Sequence, residues 1–181
     1  PIYAWDWSHQ LIKRFFNCWK MIRIGILGSV GSGKSYVAKN FGYPVFNADL
    51  EVSKLYKTNK KIFNKLNKVL PNYIYSFPVN KNEMTKAILA NKSNLNKIVK
   101  IVHLEVRKKM NLFLKKNKKK KLIILDIPLL LENKINKKND ILVFVQSKKI
   151  DVLKKLKKRK NFNSKLVRIF SNIQLSAGYK K

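Results

Sequence analysis

Residues 21–36, Met-Ile-Arg-Ile-Gly-Ile-Leu-Gly-Ser-Val-Gly-Ser-Gly-Lys-Ser-Tyr, restrict the fold more than any other stretch of the chain. Ile22, Ile24, Ile26 and Leu27 make a short β-branched, apolar run, the pattern of a strand covered on both faces. Gly28-Ser29-Val30-Gly31-Ser32-Gly33-Lys34-Ser35 then fits G-x-x-x-x-G-K-[ST], with Tyr36 directly after it. Glycines at this spacing let the backbone turn its N–H groups inward around an anion. The helix that follows adds unpaired N–H groups and the positive end of its dipole. Lys34 is placed to reach the β/γ-phosphates of a nucleotide and Ser35 to ligate Mg²⁺. The bland alternative is an ordinary glycine-rich turn. The strand before and the helix after are the context that favours the phosphate cradle.

The rest of the chain sets the class. Its 181 residues suffice for one packed domain with a small insertion, and 45% hydrophobic content suits a globular protein. One Cys excludes a disulfide framework and points to a reducing compartment, so a cytoplasmic protein is expected. No apolar run approaches the roughly 18 residues of a membrane span. The net charge of +32 raises nucleic-acid binding. However, Lys and Asn are spread almost everywhere, and Lys115–Lys121 contains only these two types. A dedicated nucleic-acid surface mixes Arg and aromatics into a patch. A solvated basic surface without a dedicated nucleic-acid partner is the expectation.

Residues 1–20 carry no motif and read as a non-core extension, with Met21 a natural chain start before the first strand. The core resumes after the phosphate loop with a helix over 34–41 closed by Gly42, then a strand over 43–47. Asp49 follows that strand, and a helix is predicted from about Leu50. An acid at this edge is a candidate base or metal contact, and equally a helix N-cap. Residues 57–121 read as a helical insertion, in which Asn91–Asn94 start a long helix. On that helix Lys100, His103 and Arg107 share a polar face, either an anion site or a wet surface. Leu122–Asp126 is a buried strand ending in an acid, a Walker-B-like arrangement that brings Asp126 toward Mg²⁺. A fourth strand is predicted over 140–145, then helices over 147–159 and from a Ser164 cap onward. The basic junction near 155–165 suits a lid in which Arg159 clamps phosphates, or a helix end complementing its dipole. Strands alternating with helices imply a mostly parallel sheet in an α/β/α P-loop fold. The first part of the core is expected over 21–56 and the second over 122–181.

Taken in order, the motifs resemble those of the dephospho-coenzyme A kinase family. They are the phosphate loop, Pro44-Val-Phe-Asn-Ala-Asp49, His103-Leu-Glu-Val-Arg107, Asp126-Ile-Pro-Leu-Leu-Leu-Glu132, and Arg159 followed fifteen positions later by Gln174. The resemblance covers nearly everything after residue 20. It implies transfer of the ATP γ-phosphoryl to the 3′-hydroxyl of the dephospho-CoA ribose, with Mg²⁺. It also implies roles for residues: Lys34, Asp49 and Arg159 in catalysis, and Asp49, His103, Arg107 and Leu130 on the acceptor. Four positions depart from the family pattern. Asn47 replaces an Asp, Leu104 a Pro, Ser29 a Gly and Tyr36 a Thr. The family also continues into a further core strand and helix after the Gln-bearing helix, so the resemblance implies a sheet lacking one edge strand. The other classes to weigh are a different small-molecule P-loop kinase and a nucleic-acid-binding P-loop ATPase.

Overall fold

A computed structural model describes residues 21–158 and 162–180. The extension 1–20 and the lid candidate Arg159 lie outside the described residues. Four strands, β1 (Ile22–Leu27), β2 (Val45–Asn47), β3 (Leu122–Asp126) and β4 (Ile141–Phe144), form a sheet in the order β2-β3-β1-β4. Every pair is parallel, with Ile24 opposite both Ile124 and Ile141, and Asn47 opposite Asp126. The apolar runs follow from this arrangement, because a parallel strand between two helical layers has no wet face. Ile24, Ile26 and Ile124 pack on one side with Ala38 of α1 (Lys34–Asn40) and with Phe41 at its C-cap. On the other side lie Leu27, Phe46, Ile123 and Leu125. They pack against Val106, Met110 and Phe113 in the second half of a 25-residue helix, Lys92–Lys116. The three-layer α/β/α architecture is therefore as expected.

Between β2 and β3 the chain is helical: α2 (Ala48–Thr58), α3 (Lys60–Val69), α4 (Lys81–Ala90) and α5 (Lys92–Lys116). Leu55, Leu66, Met84, Leu95, Ile98 and Val102 belong to a second core, separate from the sheet. Thus α5 serves both, its first half in the helical core and its second half on the sheet. After β4 come α6 (Lys149–Lys157), α7 (Ser164–Ile173) and α8 (Ala177–Lys180). The sequence placed α7 with the sheet core, but Leu166, Ile169 and Phe170 pack on the helical cluster.

The abundant asparagines have a local purpose. Asn47, Asn59, Asn80, Asn91 and Asn163 each cap a helix, their side chains accepting a backbone N–H in the first turn. Two predicted starts shift accordingly. The helix expected from Leu50 begins at Ala48 under the Asn47 cap, so Asp49 is not the cap. Asn163 caps α7, and Ser164 is its first residue. Residues 118–121 are exposed and lead into the N-terminal end of β3. In a parallel sheet that is the end opposite the phosphate loop.

Candidate active site

All four strands point their C-terminal ends the same way, and the chain reverses its direction of travel across the sheet around β1 and β3. A crevice at such a switch point is where open α/β sheets hold ligands. Gly28–Ser35 leaves β1 there, Asp126 ends β3, and Asn47 ends β2 with Asp49 in the first turn of α2.

The loop is tight. Gly33 precedes α1 in the left-handed conformation (φ 94°, ψ 16°), and Ser32 N donates to Ser29 O at 3.2 Å. Lys34 Nζ spans the turn, donating to Gly28 O at 2.9 Å and Ser29 O at 2.8 Å. Ser32 Oγ is buried and has no hydrogen-bond partner among the described residues. Tyr36 is 75% exposed and Ser35 is exposed. The segment after β4 closes against the loop. Ser147 Oγ donates to Ser32 O at 2.8 Å, and Leu156 and Val152 of α6 sit directly over Gly31. The start of the predicted lid is therefore docked on the phosphate loop.

Asp126 is 3% exposed, and its Oδ2 accepts a short hydrogen bond from Asn47 Nδ2. The same amide nitrogen lies 3.4 Å from Ser35 Oγ, and Asn47 Oδ1 accepts from Leu50 N at 2.8 Å. Asn47 appeared in the sequence only as a departure from a pattern. The structure makes it the junction of three motifs. Asp49 is exposed at the N-terminus of α2, where the helix dipole favours a carboxylate.

The loop after Asp126 joins the rest of the site. Arg107 Nη2 donates to Asn133 O at 3.4 Å, tying α5 to this loop. His103, one turn earlier, is half-buried. Burial, then the Arg107 charge, hold its imidazole below the usual histidine value. Leu130, expected on the acceptor, is 1% exposed and packs in the sheet core, where it also lines a small cleft beside Gly28 and Lys34. Glu132 was not singled out by the sequence beyond closing its motif. Its Oε1 accepts from Lys180 Nζ at 2.7 Å and Leu175 N at 2.8 Å. Burial pushes this carboxyl up, but the hydrogen bonds from Lys180, its own backbone and Leu175 outweigh that and leave it lowered. Glu132 and Lys180 line a small cleft with Gly28 and Lys34.

A larger cleft, of about 360 Å³, lies between α2 and the start of α4, lined by Ser53, Tyr56, Lys57, Asn80 and Lys81. Ser53 is one helical turn from Asp49, on the same face of α2. Burial pushes the Tyr56 phenol up, so it stays a neutral donor. Among the described residues no helix is long and apolar enough to cross a membrane. Nor do three His, Cys, Asp or Glu side chains among them form a metal cluster.

Known proteins show the same pattern. The solved structure of TT1252 from Thermus thermophilus superposes with a TM-score of 0.72 over 89% of this chain and 84% of that one. At 23% identity this likeness speaks for the fold alone. Three curated relatives carry the name dephospho-CoA kinase. The Wolbachia pipientis wMel protein is 34% identical over 163 residues, covering 87% of this chain and 83% of the relative. The Wolbachia protein from Brugia malayi is 31% identical over the same shares. The Bartonella henselae protein is 32% identical over 84% of this chain and 80% of its own. The sequence profile of the family described as dephospho-CoA kinase (CoaE) matches residues 22–181. With that match over nearly its whole length, the chain belongs to the dephospho-CoA kinase family.

Proposed function

We propose that this chain transfers the γ-phosphoryl of ATP to the 3′-hydroxyl of the dephospho-CoA ribose, forming CoA and ADP. One observation carries the assignment of residues. A phosphate loop, a buried strand-end acid and an exposed acid on a helix N-terminus meet at one sheet edge, joined through Asn47. The buried hydroxyl of Ser32, without a partner among the described residues, supports an anion in the loop, because a ligand oxygen would satisfy it.

In the reaction the acceptor oxygen forms a bond to the γ-phosphorus while the bond from that phosphorus to the β,γ-bridging oxygen breaks. ADP leaves with the electron pair. Asp49 takes the proton of the acceptor hydroxyl. Lys34 leaves its loop carbonyls for the β/γ-phosphates, and Arg159 clamps the transferring group. There is little covalent chemistry for the protein to perform, so positioning and charge neutralisation supply most of the rate. Ser35 and Asp126 would hold Mg²⁺, which neutralises phosphate charge when bound. One hydroxyl and one carboxylate fit an ion that keeps several waters and takes its remaining oxygens from phosphates. The cleft beside Ser53, with Lys57 and Lys81 among its lining residues, suits the elongated anionic acceptor, and His103 and Arg107 of α5 add further acceptor contacts in this reading. The single Cys suits the cytoplasm as the working compartment.

A coupled ADP-release assay across acceptors tests the reading. Turnover with dephospho-CoA, and not with AMP or shikimate, supports it. ATPase activity stimulated only by DNA or RNA overturns it in favour of a nucleic-acid-dependent ATPase.

A further inference from the structure

The Asn47 side chain touches the phosphate-loop helix, the end of β3 and the helix carrying Asp49. Its orientation follows from hydrogen-bond chemistry. The Leu50 backbone N–H can only donate, so Oδ1 must face it, at 2.8 Å. That turns Nδ2 toward Asp126 Oδ2, and toward Ser35 Oγ 3.4 Å away. The sheet register holds the arrangement in place, since Asn47 and Asp126 are direct partners across β2 and β3. An N-cap needs only the acceptor oxygen, and Ser or Asp supplies one as well. The donor half of the amide is therefore not explained by capping.

We propose that Asn47 is a positioning residue whose N–H group holds Asp126 beside Ser35 while its carbonyl sets the N-terminus of α2, and with it Asp49. The inference rests on the kinase reading above. A carboxylate at this position would cap α2 equally well. It would also face Asp126 charge against charge, a conflict relieved by a bound cation or by a proton shared between the two carboxyls. With the amide, Asp126 is held by the protein before any cation arrives. The site carries one negative charge fewer, and so has a weaker pull on free Mg²⁺ when no nucleotide is present.

Three variants separate the two halves of the side chain. Asn47→Ser keeps a cap and loses the amide N–H. Asn47→Asp keeps cap and shape and reverses the donor. Asn47→Ala loses both. The expected result for Asn47→Ser is a kcat lower by about 10-fold or more, with a higher Mg²⁺ concentration at half-maximal rate, on the scale of lost partners of metal-holding side chains. Its affinity for a fluorescent ATP analogue in EDTA stays at the wild-type value. Asn47→Asp is expected to gain a Mg²⁺-dependent rise in melting midpoint without nucleotide, larger than that of the wild type. This readout needs no turnover, so it stands even if the wild type phosphorylates no acceptor tried, an outcome that would count against the kinase reading instead. Wild-type kcat and Mg²⁺ dependence in Asn47→Ser together with a wild-type Mg²⁺ response in Asn47→Asp would overturn the proposal. So would losses confined to the melting midpoint, which would leave Asn47 as a cap and nothing more.

Discussion

Gly31→Ala measures how firmly the helix after β4 is seated on the phosphate loop. Gly31 has φ 79°, where an L side chain costs about 1–2 kcal/mol. A Cβ added there would come within 2.9 Å of Leu156 Cγ and 3.1 Å of Val152 Cγ1. Leu156 is 3% exposed, so it has no free space to move into without lifting α6. Overpacking of this kind costs about 1–3 kcal/mol. Gly33 is the internal control. Its φ is 94° and nothing lies within 4 Å of an added Cβ, so Gly33→Ala incurs the backbone cost alone. Fixing the unfolded chain returns about 0.4–1 kcal/mol in both variants. Gly31→Ala should therefore be less stable than Gly33→Ala by about 1–3 kcal/mol, the overpacking cost alone. Urea unfolding at equal slope reads the difference directly. Equal midpoints would refute the docking of α6 on the loop and leave the positive φ as the reason for glycine at position 31.

The remaining expectations concern single groups. Lys34→Ala should lower turnover by roughly 10³-fold or more, the scale of losing a main phosphate clamp, with the melting midpoint little changed. Asp49→Asn should lower kcat far more than it weakens ATP binding in an equilibrium titration, and equal losses would make Asp49 a nucleotide contact. Lys180→Met strands the Glu132 carboxylate in a site where the two side chains are only 5% and 10% exposed. Breaking a buried pair costs about 3–5 kcal/mol, so α8 should become exposed to proteolysis in that variant while the wild type resists. The lowered His103 value makes the unfolded chain bind more protons just below pH 6.5. The stability due to its neutral form is then complete above pH 6.5 and falls as the pH drops below it. Urea midpoints at pH 7.5 and 5.5 should converge in His103→Gln relative to the wild type.

The elements governed by local rules were legible in the sequence. β1, the glycine turn and the Asp126 strand follow from apolar runs and turn chemistry that need no partner to be read. Asn91 and Gly42 announced helix ends for the same reason. What escaped depends on contacts between distant residues. Asn47 and Asp126 are 79 positions apart, and only the β2–β3 register brings the amide to the carboxylate. Leu130 lies in an apolar loop whose inward side no periodicity defines, and the structure buries it. The amphipathic face of α7 was visible, but not whether it would cover the sheet or the helical cluster. Ser147 and Lys180 carry no motif weight, yet one fastens the segment before α6 to the phosphate loop and the other α8 to Glu132.

The central claim is that Gly28–Ser35, Asp126 and Asp49 act as one site for two substrates. The most direct measurement is the position of the transferred phosphoryl. The chain is incubated with ATP, Mg²⁺ and dephospho-CoA, and the product is read by phosphorus NMR and mass spectrometry. The account predicts one new phosphomonoester on the ribose 3′-oxygen, formed in step with ADP and absent in Asp49→Asn. ADP released as free phosphate accumulates with dephospho-CoA unchanged, or a phosphoryl group found on any other oxygen, would contradict it.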